Sequence, residues 1–211
     1  GMKIRTKIGF DRNGILVAKD FEAHLDGGAY NAMGPTATFL CGNFGAVPYR
    51  YPNYRYRGYH VYTNKPPASA MRGFGAPQAA FAGESQMNLA AAELGIDPVE
   101  LRLRNAMTTG DEVEGVAAIS SCGLDEAIKQ AAEISGWKTK RTGLPKGKGI
   151  GMGCYIEACG IAPSAAVGSL GAGVGLWESA EVRVNAVGTV EVLTGSHSHG
   201  QGHETTFAQL V

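Results

Sequence analysis

No run of apolar residues in this chain approaches the ~18 that a membrane-spanning helix needs. Nor is there an excess of one charge: 19 Lys and Arg balance 19 Asp and Glu, and charged residues are only 18% of the chain. That balance argues against a basic nucleic-acid surface and against disorder. Four cysteines, Cys41, Cys122, Cys154 and Cys159, include no C-x-x-C pair. The amino terminus, Gly1-Met2-Lys3-Ile4-Arg5, has no signal-peptide apolar region, and Gly1 before Met2 reads as a tag remnant. Reduced thiols in a cytoplasmic protein are the expectation, with Cys154 and Cys159 as a metal or cluster pair the less favoured reading.

Glycine is what the chain does have, 31 residues in all, clustered in loops without a collagen-like period. Such usage suits tight turns and close backbone approaches. Residues 2–9 and 15–23 alternate polar and apolar around Asp11-Arg12-Asn13-Gly14, a hairpin pattern in which Asn-Gly supplies positive φ angles. Gly27-Gly28 ends the second strand, residues 34–42 suit a short helix, and 54–63 read as an aromatic-rich strand. Pro77 is placed for the first turn of a helix over 78–94 whose apolar face carries Phe81, Ser85, Met87, Leu89 and Ala92. Gly95 suits its C-terminal end. Asp97 caps a second short helix through Asn105, residues 108–121 are loop-like, and Leu124–Ile134 is a third helix.

The basic stretch Lys138–Lys148 reads as a solvated connection between two subdomains, 2–140 and 148–211. A phosphate-binding role is its less favoured alternative. Gly149–Glu157 suits a strand, and 161–175 a small-residue loop. Ala180–Asn185 and Thr189–Thr194 suit a second hairpin, and 203–211 a terminal helix. Helices and antiparallel hairpins without a βαβ rhythm define an α+β class.

Two loops carry chemistry. Ala70-Met71-Arg72-Gly73-Phe74-Gly75-Ala76-Pro77-Gln78 joins a strand to a helix. Gly73 and Gly75 lack the Cβ that keeps a ligand from the backbone, free N–H groups at the helix mouth favour an anion, and Arg72 offers a bidentate grip. Phe74 can stack on a flat substrate. A buried turn with Arg72 paired to a neighbouring acid explains the same residues. The second loop, Gly195–Glu204, places Gly200 and Gly202 around Gln201, whose amide can read a heterocycle edge. His197, His199 and His203 lack an H-E-x-x-H order, so a metal site is disfavoured. Gly171–Gly175 lacks the long helix and acidic partner of a dinucleotide loop.

Together these motifs resemble a known family. Ala70–Gln78, the helix bearing Glu84 and the segment Asp97–Met107 look like the molybdopterin-binding large subunit of the xanthine dehydrogenase and aldehyde oxidase family. Gly200–Gln209 is similar to the large chain of carbon monoxide dehydrogenases, and Ser120–Leu124 to the 4-hydroxybenzoyl-CoA reductase branch. The resemblance covers residues 2–211.

It implies an α+β, molybdopterin-binding-domain-like fold and a molybdenum–molybdopterin cofactor, expected in a dinucleotide form. Arg72, Gly73, Gly200, Gln201 and Gly202 would contact that cofactor, and Phe74 would line the substrate pocket. It implies hydroxylation with water-derived oxygen, or reductive dehydroxylation, of an aromatic, heterocyclic or aldehyde substrate, with iron–sulfur and FAD subunits as partners. No protein ligand to the metal is expected.

Departures accompany the resemblance. The copper-holding cysteine of the carbon monoxide enzymes has no counterpart, and the arginine of purine-oxidising members has none near Leu40. The family's upstream glycine-rich loop and its downstream general-base glutamate are also unmatched. The expectation is therefore a fragment, a split subunit or a truncated product, incomplete at both ends, inactive alone and prone to self-association. A non-catalytic remnant or binding module is the alternative.

Overall fold

The computed structural model describes residues 1–113, 115, 117–157 and 178–211. The expected loop at 161–175, its Gly171–Gly175 run and Cys159 lie outside the described residues. The chain divides into two compact units, Gly1–Glu157 and Ala158–Val211.

The first unit is built on β1 (Met2–Phe10) and β2 (Leu16–Gly28), an antiparallel hairpin with Arg5 opposite Glu22 and Lys7 opposite Asp20. Its turn differs from the expectation in one respect. Only Gly14 takes a positive φ, 78°, because the Asp11 carboxylate accepts from Asn13 N–H and Ile15 N–H and holds the turn without a left-handed Asn13. The larger difference concerns β3 (Tyr54–Tyr62), which pairs with β2 in parallel after a crossover through α1 (Gly34–Gly45). Strand order is thus β1-β2-β3. A crossover helix sits between two strands where no such rhythm was read. The α+β class stands, since the other pairings are antiparallel.

Helix α1 lies on the sheet because β3 reaches up to it. Tyr54 Oη donates to Gly42 O at 2.7 Å and Tyr56 Oη to Thr38 O at 2.5 Å. Helix α2 (Ala76–Leu94) starts with Pro77 in its first turn and stops at Gly95, in the left-handed conformation at φ 65°. Its buried face is Ala76, Ala79, Gly83, Met87 and Ala91, with Phe81 and Leu89 exposed. Ala92 is exposed as well, so the expected face was wrong at Phe81, Leu89 and Ala92. Small side chains let α2 approach its neighbours closely, and the two large residues do not fit there.

Asp97 caps α3 (Pro98–Asn105), accepting from Val99 N–H at 2.8 Å. The stretch expected as loop carries a two-residue ladder, β4 (Glu112–Val113) with β5 (Ala117–Ala118). Helix α4 (Leu124–Ser135) follows, and α5 (Trp137–Gly143) occupies the first half of the stretch expected as a plain connection. Residues 149–157 form no strand. Ile150, Met152 and Cys154 pack on the core, and a side-chain carboxylate holds Cys154 N–H where a ladder partner would otherwise do so.

In the second unit β6 (Ala180–Val184) and β7 (Val190–Thr194) form the expected hairpin, and α6 spans His203–Leu210.

Candidate functional site

The first loop is a tight turn with three successive positive φ angles: Gly73 at 95°, Phe74 at 51° and Gly75 at 99°. Phe74 is the only non-glycine of that kind among the described residues, so the turn is held against its own preference. What holds it is contact with α1. A Cβ on Gly75 would lie 2.3 Å from Ala37 O and 2.8 Å from Cys41 N, and one on Gly73 would lie 2.4 Å from Pro77 Cγ. A Cβ at either position would meet protein atoms, so packing by itself calls for glycine here.

Three of the N–H groups around the helix mouth are paired within the loop and first turn. Phe74 N–H donates to Met71 O at 2.7 Å, Ala76 N–H to Gly73 O at 2.9 Å and Ala79 N–H to Gly75 O at 3.2 Å. Pro77 has none to offer. What the loop presents outward is Met71, Arg72, Pro77 and Gln78, all exposed, with Phe74 half-buried behind them. Arg72 is exposed yet engaged in a contact of its own.

Beneath that loop lies a polar centre that sequence reasoning missed. Glu84 accepts from Tyr49 Oη at 2.6 Å, Arg102 Nε at 2.9 Å, Arg102 Nη2 at 2.7 Å and Cys154 N–H at 2.9 Å. Arg102 is fully buried and also donates to Pro98 O and Asn88 Oδ1. Burial works against its charge, but Glu84 and Tyr49 outweigh that and raise its pKa. The Tyr49 hydroxyl is pushed far above its ordinary value by burial and by Glu84.

Nearby, Lys19 is 3% exposed and donates to Gly45 O, at the end of α1, over 2.7 Å. Its ammonium stands 4.9 Å from the Phe21 ring and 4.8 Å from the Tyr51 ring. Burial lowers its pKa from 10.5 to about 8, against the pull of Cys41 and Glu84. A cavity of about 20 Å³, room for one water, touches Lys19, Tyr49, Glu84 and Cys154. One signal was available in the sequence: Lys19 shares the face of Phe21, Ala23 and Leu25 at period two.

The second loop leaves the β6–β7 hairpin with Glu178 as its anchor, accepting from Gly195 N–H at 3.1 Å and Ser196 Oγ at 3.0 Å. The side-chain oxygen of Gln201 turns back to accept His199 N–H. Gly200 has φ 93° and Gly202 φ 73°. Gly202 O receives Thr205 N–H at 3.1 Å and Thr206 N–H at 3.0 Å, opening α6. A Cβ on Gly202 would meet nothing within 4 Å, so its backbone is approachable from outside. Glu204, in the first turn, already sets a carboxylate against the positive helix end.

A groove beside this loop is lined by Val190, Val192, His197, His203 and Phe207. His203 stacks on Phe207 at 4.7 Å, and its Nδ1 is buried without a partner. Among the described residues no group of three or more His, Cys, Asp or Glu can hold a metal ion.

Residues 1–106 match the molybdopterin cofactor-binding domain family, and residues 127–211 match a second molybdopterin cofactor-binding domain. The chain belongs to this family, as found in the large subunits of xanthine dehydrogenases, aldehyde oxidoreductases and carbon monoxide dehydrogenases.

It is 37% identical over 213 residues to a xanthine dehydrogenase molybdenum-binding subunit of Escherichia coli O157:H7, covering 97% of this chain and 27% of that protein. It is 32% identical to an aldehyde oxidoreductase of Megalodesulfovibrio gigas, covering 95% of this chain and 21% of that protein. The structure of quinoline 2-oxidoreductase from Pseudomonas putida 86 superposes with a TM-score of 0.78 at 27% identity, over 99% of this chain and 28% of that one. The chain thus spans about a quarter of the length of the relatives it matches. No helix among the described residues is long and apolar enough to cross a membrane.

Proposed function

We propose that this chain supplies part of the cofactor enclosure of a molybdopterin-dependent hydroxylase acting on an aromatic, heterocyclic or aldehyde substrate. The observation that carries the reading is the match of residues 1–106 and 127–211 to molybdopterin cofactor-binding domains. Within it, Gly202 at the mouth of α6 has open space beside it and leaves room for a ligand to come close to the backbone. The first loop fits differently. Its glycines are closed off by Pro77 and α1, so its contribution is the Arg72 side chain, with Gly73 shaping the turn.

On this reading Arg72 binds an anionic or oxo group of the cofactor, Gly200 and Gly202 admit its pterin and phosphate side, and Gln201 positions a polar edge. When bound, the cofactor supplies oxygen-atom transfer coupled to two-electron redox chemistry. Phe74, half-buried behind Arg72, offers a flat apolar wall for substrate. A dinucleotide form of the pterin and partners carrying iron–sulfur clusters and FAD belong to the same proposal. So does the division into 2–140 and 148–211; the family matches cover 1–106 and 127–211, and the compact units part after Glu157. Carbon monoxide is disfavoured as substrate, because no cysteine lies between Cys41 and Cys122.

No carboxylate of this chain is assigned the role of general base. Glu84 is committed to four donors, and Glu204 sits in the first turn of α6.

The test is metal analysis of the purified chain, together with pterin fluorescence after oxidation, alone and co-expressed with its neighbouring polypeptides. Molybdenum and pterin in equal amounts, lowered by Arg72→Ala and by Gly202→Val, are expected. Absence of both in every preparation would leave a non-catalytic module.

A further inference from the structure

Lys19 and Glu84 carry opposite charges in one buried part of the first unit, and they do not hydrogen-bond to each other. The Lys19 ammonium has three protons to donate. Among the described residues Gly45 O, at 2.7 Å, is the one acceptor it reaches, although the residue is only 3% exposed. Glu84 uses its two oxygens unequally. Oε2 accepts from Arg102 Nε, Arg102 Nη2 and Cys154 N–H, whereas Oε1 accepts from Tyr49 Oη alone. Two ammonium protons and a lone pair of Oε1 are left over. Groups of that kind, taken out of water, are costly unless something replaces their hydration.

Both residues line the same cavity of about 20 Å³, with Tyr49, Gly83 and Cys154 around it. That volume admits one water-sized molecule. The two charges select its kind. A small anion suits the ammonium but meets the Glu84 carboxylate, and a small cation suits the carboxylate but meets Lys19. An apolar guest satisfies neither. A neutral molecule that both accepts and donates suits the pair, and water is the abundant one of that size.

We propose that this cavity is a binding site for a single internal water, which accepts from Lys19 Nζ, donates to Glu84 Oε1 and makes the two a water-bridged ion pair. The bridge joins β2, through Lys19, to α2, through Glu84. By way of Gly45 O and Arg102 it reaches the end of α1 and α3 as well. Ala76, Ala79 and Ala80 border the same cavity, so the water lies close to the end of α2 that follows the arginine loop. Burial lowers the Lys19 pKa to about 8, and Cys41 and Glu84 pull against that, as the pairing requires. The inference is independent of whether cofactor is bound.

Gly83 provides the test. A Cβ there would lie 3.5 Å from Lys19 Nζ and meet no other neighbour within 4 Å, so a methyl enters the cavity without a clash. In a dry cavity Gly83→Ala would raise the folding constant about fivefold, through helix propensity alone. In a hydrated one the methyl displaces the water and strands both charges. Gly83→Ala of the whole chain is therefore expected to remove one long-lived water from the water-oxygen magnetic relaxation dispersion. It should also lower the Lys19 titration midpoint read by side-chain NMR, and lower the folding constant about tenfold. Gly83→Ser brings its own hydroxyl to the same place, so it loses the water yet keeps the midpoint close to that of wild type. Equal dispersion in wild type and Gly83→Ala would overturn the proposal. So would a Gly83→Ala chain more stable than wild type, or equal midpoints in the alanine and serine variants.

Discussion

Glu84 and Arg102 form a two-pronged ion pair, 2.9 and 2.7 Å, in which the guanidinium has no exposed surface. It ties α2 to α3, and through Cys154 N–H it ties both to the segment at 150–157. Removing one partner leaves a buried charge without its counter-ion, which costs about 3–5 kcal/mol. Glu84→Gln is expected to lower the unfolding free energy of the first unit by that amount in a urea titration. Amide exchange around Cys154 should quicken in the same variant. A change under ~1 kcal/mol would show that the pair is not what joins these elements.

Lys19 gives the fold a specific response to pH. Its folded pKa of about 8 lies below the ordinary 10.5, so between those values the unfolded chain holds the proton more tightly than the folded one. Stability contributed through Lys19 therefore rises as pH rises across that window, by on the order of 3 kcal/mol in total. Cys41 acts in the opposite sense. Burial raises its thiol from 9.0 to about 12, so its contribution to stability falls as pH rises above 9. The difference between wild type and Lys19→Met, followed by thermal or urea unfolding from pH 7 to 10.5, isolates the amine. A flat difference curve would mean that Lys19 keeps an ordinary pKa.

Two glycines separate packing from access. Gly75→Ala forces a Cβ onto Ala37 O at a φ of 99° and is expected to cost about 3 kcal/mol. Gly202→Ala meets nothing and carries only the left-handed penalty, about 1 kcal/mol. Melting curves of the two variants should differ by several degrees. Equal losses would contradict the assignment of Gly75 to the α1 contact.

Asn105 closes the β1–β2 turn from a distance. It accepts Leu16 N–H at 2.8 Å and donates to Gly14 O at 2.7 Å and Leu101 O at 2.8 Å, all buried. Asn105→Ala removes the side-chain partner of Leu16 N–H and Gly14 O and should cost about 2–3 kcal/mol. Asn105→Asp restores the acceptor alone and should recover only part of the loss, as read from unfolding midpoints.

Local signals were legible where the physics is local. The hairpins, Pro77 and Gly95 bounding α2, the Asp97 cap and the start of α6 all follow from interactions within about four residues. The face of α2 was misread because helical periodicity cannot distinguish an apolar residue that packs from one that is exposed. Phe81 and Leu89 carry the pattern, yet Ala79, Gly83 and Ala91 make the contacts. In the candidate site, the special backbone of the two glycine loops was visible. The use of Gly73 and Gly75 against Pro77 and α1 was not.

Composition, alternation and turn chemistry by themselves determined an α+β chain with its hairpins and capped helices, and two loops whose motifs mark a molybdopterin-binding family. The tertiary structure alone decided that β3 lies parallel to β2, that Lys19 and Arg102 are buried as cations, and that Gly73 and Gly75 are closed in by Pro77 and α1 while Gly202 is not. Those outcomes depend on groups brought together from far along the chain, as with Leu16 and Asn105 or Tyr49 and Glu84. Burial and desolvation act on what surrounds a residue in space, and local sequence preference carries no record of that.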